Sequence, residues 1–262
     1  MGFENIDFEV QNGLARLTLN RPEASNAINL DLVRELLAAA TICAEDSGIR
    51  AVLLTGSGQR FCVGGDLKSF AAAGDGVAAL IREIADTLHE ALSKLARMKA
   101  PLVVAVNGAA AGAGMSMVCM TDIALAADSA TFTMAYTAVG LTPDGSSTYF
   151  LPKMIGMRRT KELMLTNRRL SAAEALEWGI VQRVVPDDQL MVETEKLARS
   201  LASGPTNAFG VVKKLLLASE LSDLEPQLDA ETREIVTIAD TSDAREGFSA
   251  FLEKRSPAFK GE

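Results

Sequence analysis

The chain has 262 residues, 48% hydrophobic and 23% charged, which is enough to bury a large apolar core and too apolar for a disordered chain. Its net charge of −8 argues against partners bound by broad phosphate neutralisation, so no nucleic acid is expected. A single histidine, His89, rules out multi-histidine metal sites; Cys43, Cys62 and Cys119, odd in number and lacking a Cys-x-x-Cys pair, fit a reducing compartment better than a disulfide framework.

The opening Met1-Gly2-Phe3-Glu4 carries no basic apolar signal, and a cytoplasmic location is the expectation. Alternation over 6–10 and 14–19 around Asn12-Gly13 predicts a hairpin. Helical spacing follows over 30–46, then a strand over 51–55 and a glycine-rich loop that ends at Gly65. A helix over 77–98 leads through Pro101 into a strand over 102–106, a turn over 107–112 and a helix that begins near Ala113. The charge-free run 100–121 even holds a G-x-x-x-G spacing, at Gly108 and Gly112. Ala, Gly, Ser and Asn107 leave it too weakly apolar for a membrane span. Another strand is expected over 122–126. Strand, glycine loop and helix thus recur at a spacing of about fifty residues, a repeated supersecondary layout.

Beyond Pro143 the pattern changes. Ser171-Ala172-Ala173-Glu174 reads as a capping box that starts a helix containing Trp178, stopped at Gly179. From Gln189 the chain is helical almost to its end, with breaks near Gly204-Pro205, Ser222 and Thr241. The division expected is a core over 1–200 and a C-terminal helical region over 201–262. With no sheet of its own, that region is suited to docking on the core or on a second subunit.

Two loops could carry chemistry. Phe61-Cys62-Val63-Gly64-Gly65-Asp66-Leu67-Lys68 frees its backbone for close approach to a ligand. Asn107-Gly108-Ala109-Ala110-Ala111-Gly112-Ala113-Gly114 ends where a helix begins, so unpaired N–H groups and the positive dipole end would welcome an oxyanion. Taken singly, the first also reads as an ordinary strand-to-helix turn and the second as tight packing of small residues against the sheet.

Taken together, the loops resemble the paired oxyanion-hole motifs of the crotonase superfamily, the enoyl-CoA hydratases and isomerases. The resemblance extends to Leu19-Asn20-Arg21-Pro22 with Asn26-Ala27, to Glu174-Ala175 with Trp178-Gly179-Ile180-Val181, and to Phe251-Leu252-Glu253-Lys254-Arg255 with Pro257 and Phe259. It implies an α/β fold: a spiral of strand-strand-helix repeats with a C-terminal helical trimerisation region, often as a dimer of trimers. The substrate it implies is an acyl-CoA thioester, so coenzyme A arrives with the substrate and no separate cofactor is expected. By position, Val63 and Ala113 would supply the two N–H donors for the thioester oxygen, and losing one such donor typically costs about 3 kcal/mol. Binding of coenzyme A would fall to Ser25, Ala27, the loop Val63, Gly64, Gly65, Asp66, Leu67 and Lys68, and the basic Lys254 and Arg255. The glycine-containing stretch 71–77 is expected to form a mobile wall of the pocket.

The reaction is narrowed by what stands at three further positions. The hydratase pattern has two glutamates where this sequence has Ser116 and Tyr136, and neither can replace a carboxylate base at neutral pH. Asp144, in Thr142-Pro143-Asp144-Gly145, matches the position where several isomerases of the superfamily keep their catalytic acid. The favoured expectation is therefore an isomerase that shifts a 3-enoyl-CoA to a 2-enoyl-CoA, or rearranges a ring-derived acyl-CoA. His89 matches the general base of a related aroyl-CoA dehalogenase, which also uses an Asp at the Asp144 position and an aromatic residue at Tyr136. Dehalogenation, ordinary hydration and a non-catalytic binding role are the alternatives.

Overall fold

The computed structural model describes residues 2–262. The chain opens with the hairpin β1 (Ile6–Gln11) and β2 (Leu14–Leu19), turned at Asn12 and Gly13, both at positive φ as such a two-residue turn requires. Helix α1 (Leu30–Glu45) follows, capped by the Asn29 side chain on the Leu32 N–H. Three cycles come next. The first is β3 (Ala51–Gly56), β4 (Arg60–Cys62), α2 (Leu67–Ala72) and α3 (Val77–Arg97). The second is β5 (Leu102–Val106), β6 (Ala109–Ala111) and α4 (Ala113–Met120). The third is β7 (Ile123–Ala127), β8 (Thr131–Thr133) and α5 (Ser147–Thr166), the last kinked at Gly156. Short pieces β9 (Leu170–Ser171), α6 (Ala172–Glu177) and β10 (Arg183–Val185) lead to α7 (Leu190–Ala202), and then to α8 (Thr206–Ser219), α9 (Leu224–Ala239) and α10 (Ser242–Glu253).

In each cycle the first strand joins one sheet and the second joins another. The large sheet runs β1-β2-β3-β5-β7-β10, parallel apart from the opening hairpin; the small one runs β4-β6-β8-β9. This is the expected spiral of strand-strand-helix turns. Strands β3 and β5 are buried along their whole length, which explains why they read as unbroken apolar runs rather than alternating ones. Helix α3 buries Ile84, Leu88, Ala91, Leu92 and Leu95, one stripe at helical spacing, and packs on α1. Each fully buried leucine of this kind contributes about 2 kcal/mol.

The strands of the small sheet left no trace in the residue pattern. They are two or three residues long, too short to show alternation, and β6 falls inside the stretch read as a turn. The stretch 71–77, expected as a pocket wall, is largely helical, and its Ala71, Gly74 and Val77 do border a cavity of about 350 Å³. Helix α4 is buried at all eight positions, so it can lie only where backbones pass closely. Gly114 makes this feasible, since a Cβ there would sit 2.2 Å from the Cys62 carbonyl oxygen.

Helix α7 covers the large sheet, and the chain turns away at Gly204-Pro205. The three helices beyond bury only Thr206, Asp243 and Ala250 among the described residues. Their outer surface carries Leu221, Leu224, Ile235, Val236, Phe251 and Leu252, all well exposed. Among the described residues no helix is long and apolar enough to cross a membrane, and 100–121 resolves into strand, strand and buried helix.

Candidate active site

The two glycine loops lie against each other and wall a cavity of about 390 Å³. Its lining runs from Ile28, Val63, Gly64 and Gly65 to Gly112 and Ala113, and is closed by apolar side chains of α2, α3 and the stretch 135–142. The first loop is held from below by Asn26, which is fully buried. Its amide nitrogen donates to the carbonyls of Ser57, Arg60 and Phe61, and its Oδ1 accepts from the Arg21 N–H. The loop's far end is fixed by Asp66. One carboxylate oxygen caps α2 at the Lys68 and Ser69 N–H groups, and the other meets Arg21 at 3.1 Å.

The geometry corrects the expected first donor. The Val63 N–H is taken, since it donates to the Ser25 carbonyl at 3.3 Å. Gly65 is the residue with a free N–H. It forms a parallel bridge with Ile28 in which the Ile28 N–H donates to Gly64 and the Asp66 N–H donates to Ile28, so Gly65's own N–H and carbonyl face the opposite way. Among the described residues it meets no acceptor, and Gly65 lines the cavity. Nothing in the sequence distinguishes residue 63 from residue 65, because the choice depends on which edge of the loop pairs with Ile28. Ala113 keeps its N–H free. It is the first residue of α4, its N–H has no acceptor among the described residues, and the helix dipole adds positive potential there.

Asp144 also lines this cavity, and among its lining residues it alone carries a charge. Tyr136 donates its phenolic hydrogen to Asp144 Oδ1 at 2.7 Å and lies 3.0 Å from Ser116 Oγ. The two positions that hold no glutamate are thus joined to each other and to the one carboxylate. Burial, and then the negative charge of Asp144, raise the Tyr136 phenol well above its ordinary range, so it remains a donor. His89 Nε2 accepts from the Gly145 N–H at 3.1 Å and lies 3.5 Å from Asp144 Oδ2. His89 itself faces a second, larger cavity of about 1070 Å³ on the other side of this wall, bordered by α3, α5 and α8.

The residues expected to hold coenzyme A are only partly gathered. Gly64, Gly65 and Leu67 border the cavity, and exposed Lys68 stands beside Leu67 at the start of α2. Ser25 and Ala27 meet the loop by backbone: the Ser25 carbonyl holds Val63 and the Ala27 carbonyl accepts from Arg21. The Asp66 carboxylate is spent on the cap and Arg21, its N–H on the Ile28 carbonyl and its own carbonyl on the Phe70 N–H. Arg255 is spent too, on Glu246 and Glu253, while Lys254 is exposed just past α10. Neither borders the cavity. Arg60, which donates to Ser25 Oγ at 3.0 Å, is an exposed cation beside the first loop that the motif reading passed over, because its neighbour Ser25 is distant in sequence.

Two free N–H groups and one carboxylate in a mostly apolar cavity form an arrangement suited to removing a proton beside a carbonyl while holding the resulting oxyanion. Comparison with known proteins gives the family. The family described as enoyl-CoA hydratase/isomerase matches residues 9–262. A probable enoyl-CoA hydratase of Rhodobacter capsulatus is 40% identical over 261 residues, covering all of both chains. The 1,2-epoxyphenylacetyl-CoA isomerase of Escherichia coli is 40% identical over 260 residues, covering 98% of this chain and 99% of its own. The crystal structure of an enoyl-CoA hydratase/isomerase from Mycobacterium abscessus superposes with a TM-score of 0.94 at 34% identity, covering 98% of this chain and all of that one. The chain belongs to the enoyl-CoA hydratase/isomerase family.

Proposed function

We propose that the protein isomerises an acyl-CoA thioester, moving the double bond of a 3-enoyl-CoA to the 2-position or rearranging a ring-derived acyl-CoA. The observation that carries this reading is the single carboxylate: Asp144 is the one charged side chain lining a cavity that two free N–H groups also face. One base is enough for an isomerase, because the proton it takes is the proton it returns. Ser116 and Tyr136, hydrogen-bonded to each other, leave no second carboxylate to activate a water, which weighs against hydration.

In this reading the thioester oxygen sits between the N–H groups of Gly65 and Ala113, and Asp144 faces the acyl carbons. Leu67, Phe70, Ile81, Ile84, Leu88 and Leu141 favour an apolar acyl group. Coenzyme A lies along the first loop, with the exposed cations Lys68 and Arg60 beside that loop to meet its phosphates. The exposed apolar side chains of α8–α10 support assembly through these helices as a homotrimer or a dimer of trimers.

The test is turnover of 3-enoyl, 2-enoyl and aromatic CoA thioesters by the native protein and by Asp144→Asn. The variant is expected to lose at least about 10³-fold in kcat while binding the thioester within about 3-fold. Native-rate isomerisation by Asp144→Asn would remove Asp144 as the base. The 3.5 Å approach of His89 to Asp144 favours one second reading, hydrolysis of a halogenated aroyl-CoA. Halide release that disappears in His89→Gln would replace the first reading with that one.

A further inference from the structure

The two oxygens of the Asp144 carboxylate have different surroundings. Oδ1 accepts the Tyr136 hydroxyl at 2.7 Å. Oδ2 has His89 Nε2 at 3.5 Å, but that nitrogen already accepts from the Gly145 N–H at 3.1 Å. A ring nitrogen that accepts carries no proton, so in this arrangement it offers Oδ2 nothing. Among the described residues Oδ2 has no donor within hydrogen-bond distance.

The direction of the chain behind Oδ1 follows from proton counting. An ionised carboxylate has no proton to give, so the single phenolic proton of Tyr136 goes to Asp144. The 3.0 Å contact with Ser116 then runs the other way, from the serine hydroxyl to the phenolic oxygen. Ser116 is fully buried on α4, and its only other acceptor is the Gly112 carbonyl at 3.3 Å. Donation thus runs from Ser116 to Tyr136 to Asp144 Oδ1. The backbone beneath is held by the Ser147 hydroxyl on the Asp144 carbonyl at 2.9 Å, with the Tyr136 hydroxyl 3.5 Å from the same oxygen.

We propose that Tyr136, backed by Ser116, is a positioning residue that pins Asp144 through Oδ1 and so makes Oδ2 the one oxygen that takes the substrate proton and gives it back. The inference rests on the reading of Asp144 as the base. In the first step the C2–H bond breaks, its proton goes to Oδ2, its electron pair becomes the C1–C2 π bond, and the carbonyl π pair moves onto the thioester oxygen. In the second step the carbonyl re-forms, the C1–C2 pair shifts to C2–C3, and the C3–C4 pair takes the proton from Oδ2 at C4. Between the steps Tyr136 still donates to Oδ1, so the carboxyl cannot turn about its Cβ–Cγ bond without breaking that hydrogen bond. The proton stays over the dienolate instead of exchanging with water.

The experiment is isomerisation of an unlabelled 3-enoyl-CoA in D₂O, read by the protium retained at C4 of the product. The native enzyme is expected to retain most of it. Tyr136→Phe, which keeps the ring and removes the donor, is expected to lower kcat by about 10- to 100-fold with KM within about 2-fold, and to raise deuterium uptake severalfold. Ser116→Ala is expected to move deuterium uptake the same way by less, and Ser116→Thr to restore the native value. If Tyr136→Phe does not fold, the two Ser116 variants decide the matter by the same readout. Native protium retention in Tyr136→Phe, or full exchange in the native enzyme, overturns the inference. An inactive Asp144→Asn beside unchanged retention in Tyr136→Phe overturns the positioning role alone, whereas an active Asp144→Asn removes the base and the inference with it.

Discussion

Gly64 stands so close to the second glycine loop that a Cβ on it would lie 3.0 Å from the Ala111 carbonyl oxygen and 3.4 Å from the Ala113 nitrogen. Its φ of +91° is also one that L side chains rarely adopt. The spacing between the two free N–H groups is therefore set by backbone packing against backbone. Gly64→Ala is expected to destabilise the fold by about 1–3 kcal/mol and to lower kcat by about 10²-fold through misplacement of the donors. Activity and chemical unfolding measured on one preparation check this; a variant with native kcat would mean the loops adjust independently.

Asp66 carries the pH dependence of the same loop. Burial alone would raise its carboxyl, but the Ser69 N–H and the Arg21 guanidinium outweigh it and hold the group below the usual carboxylate range. A carboxyl lowered on folding stabilises the folded state above its unfolded value, near pH ~4, and that contribution is lost as pH falls through the folded value. Asp66→Ala is expected to cost about 1–3 kcal/mol at neutral pH and less in strong acid. Urea unfolding at the two pH values tests it, and an equal penalty at both would show that the charge is irrelevant.

The three cysteines are expected to be inert in the folded protein. Burial pushes the thiols of Cys43, Cys62 and Cys119 up to about 12, helped at Cys43 by the nearby Asp46. The thiolate is the reactive form, so a disulfide reagent at pH ~8 should titrate none of them until denaturant is added, and then all three. Prompt labelling of Cys62 without denaturant would show that the first loop opens.

The repeated strand, glycine loop and helix units are legible in the residues, because long elements such as α1, α3, β3 and β5 carry their own periodicity, whereas the spiral itself followed only from the family resemblance. The small sheet was illegible for the opposite reason. Strands such as β4 and β8 are too short to show a period and exist only because the large sheet and its helices bring them together.

The same division runs through the site. The sequence by itself determined the chemistry available: glycine loops fifty residues apart, Asp144 in a turn, and Ser116 and Tyr136 where a hydratase would keep carboxylates. Only the tertiary structure decided which atoms are free to use it. Val63 loses its N–H to Ser25 while Gly65 keeps its own, because the loop pairs with Ile28 along one edge. Arg255 is consumed by two glutamates, and Tyr136 is aimed at one oxygen of Asp144. Residue types fix what a group can donate or accept; whether it is already satisfied depends on neighbours that folding brings from distant parts of the chain.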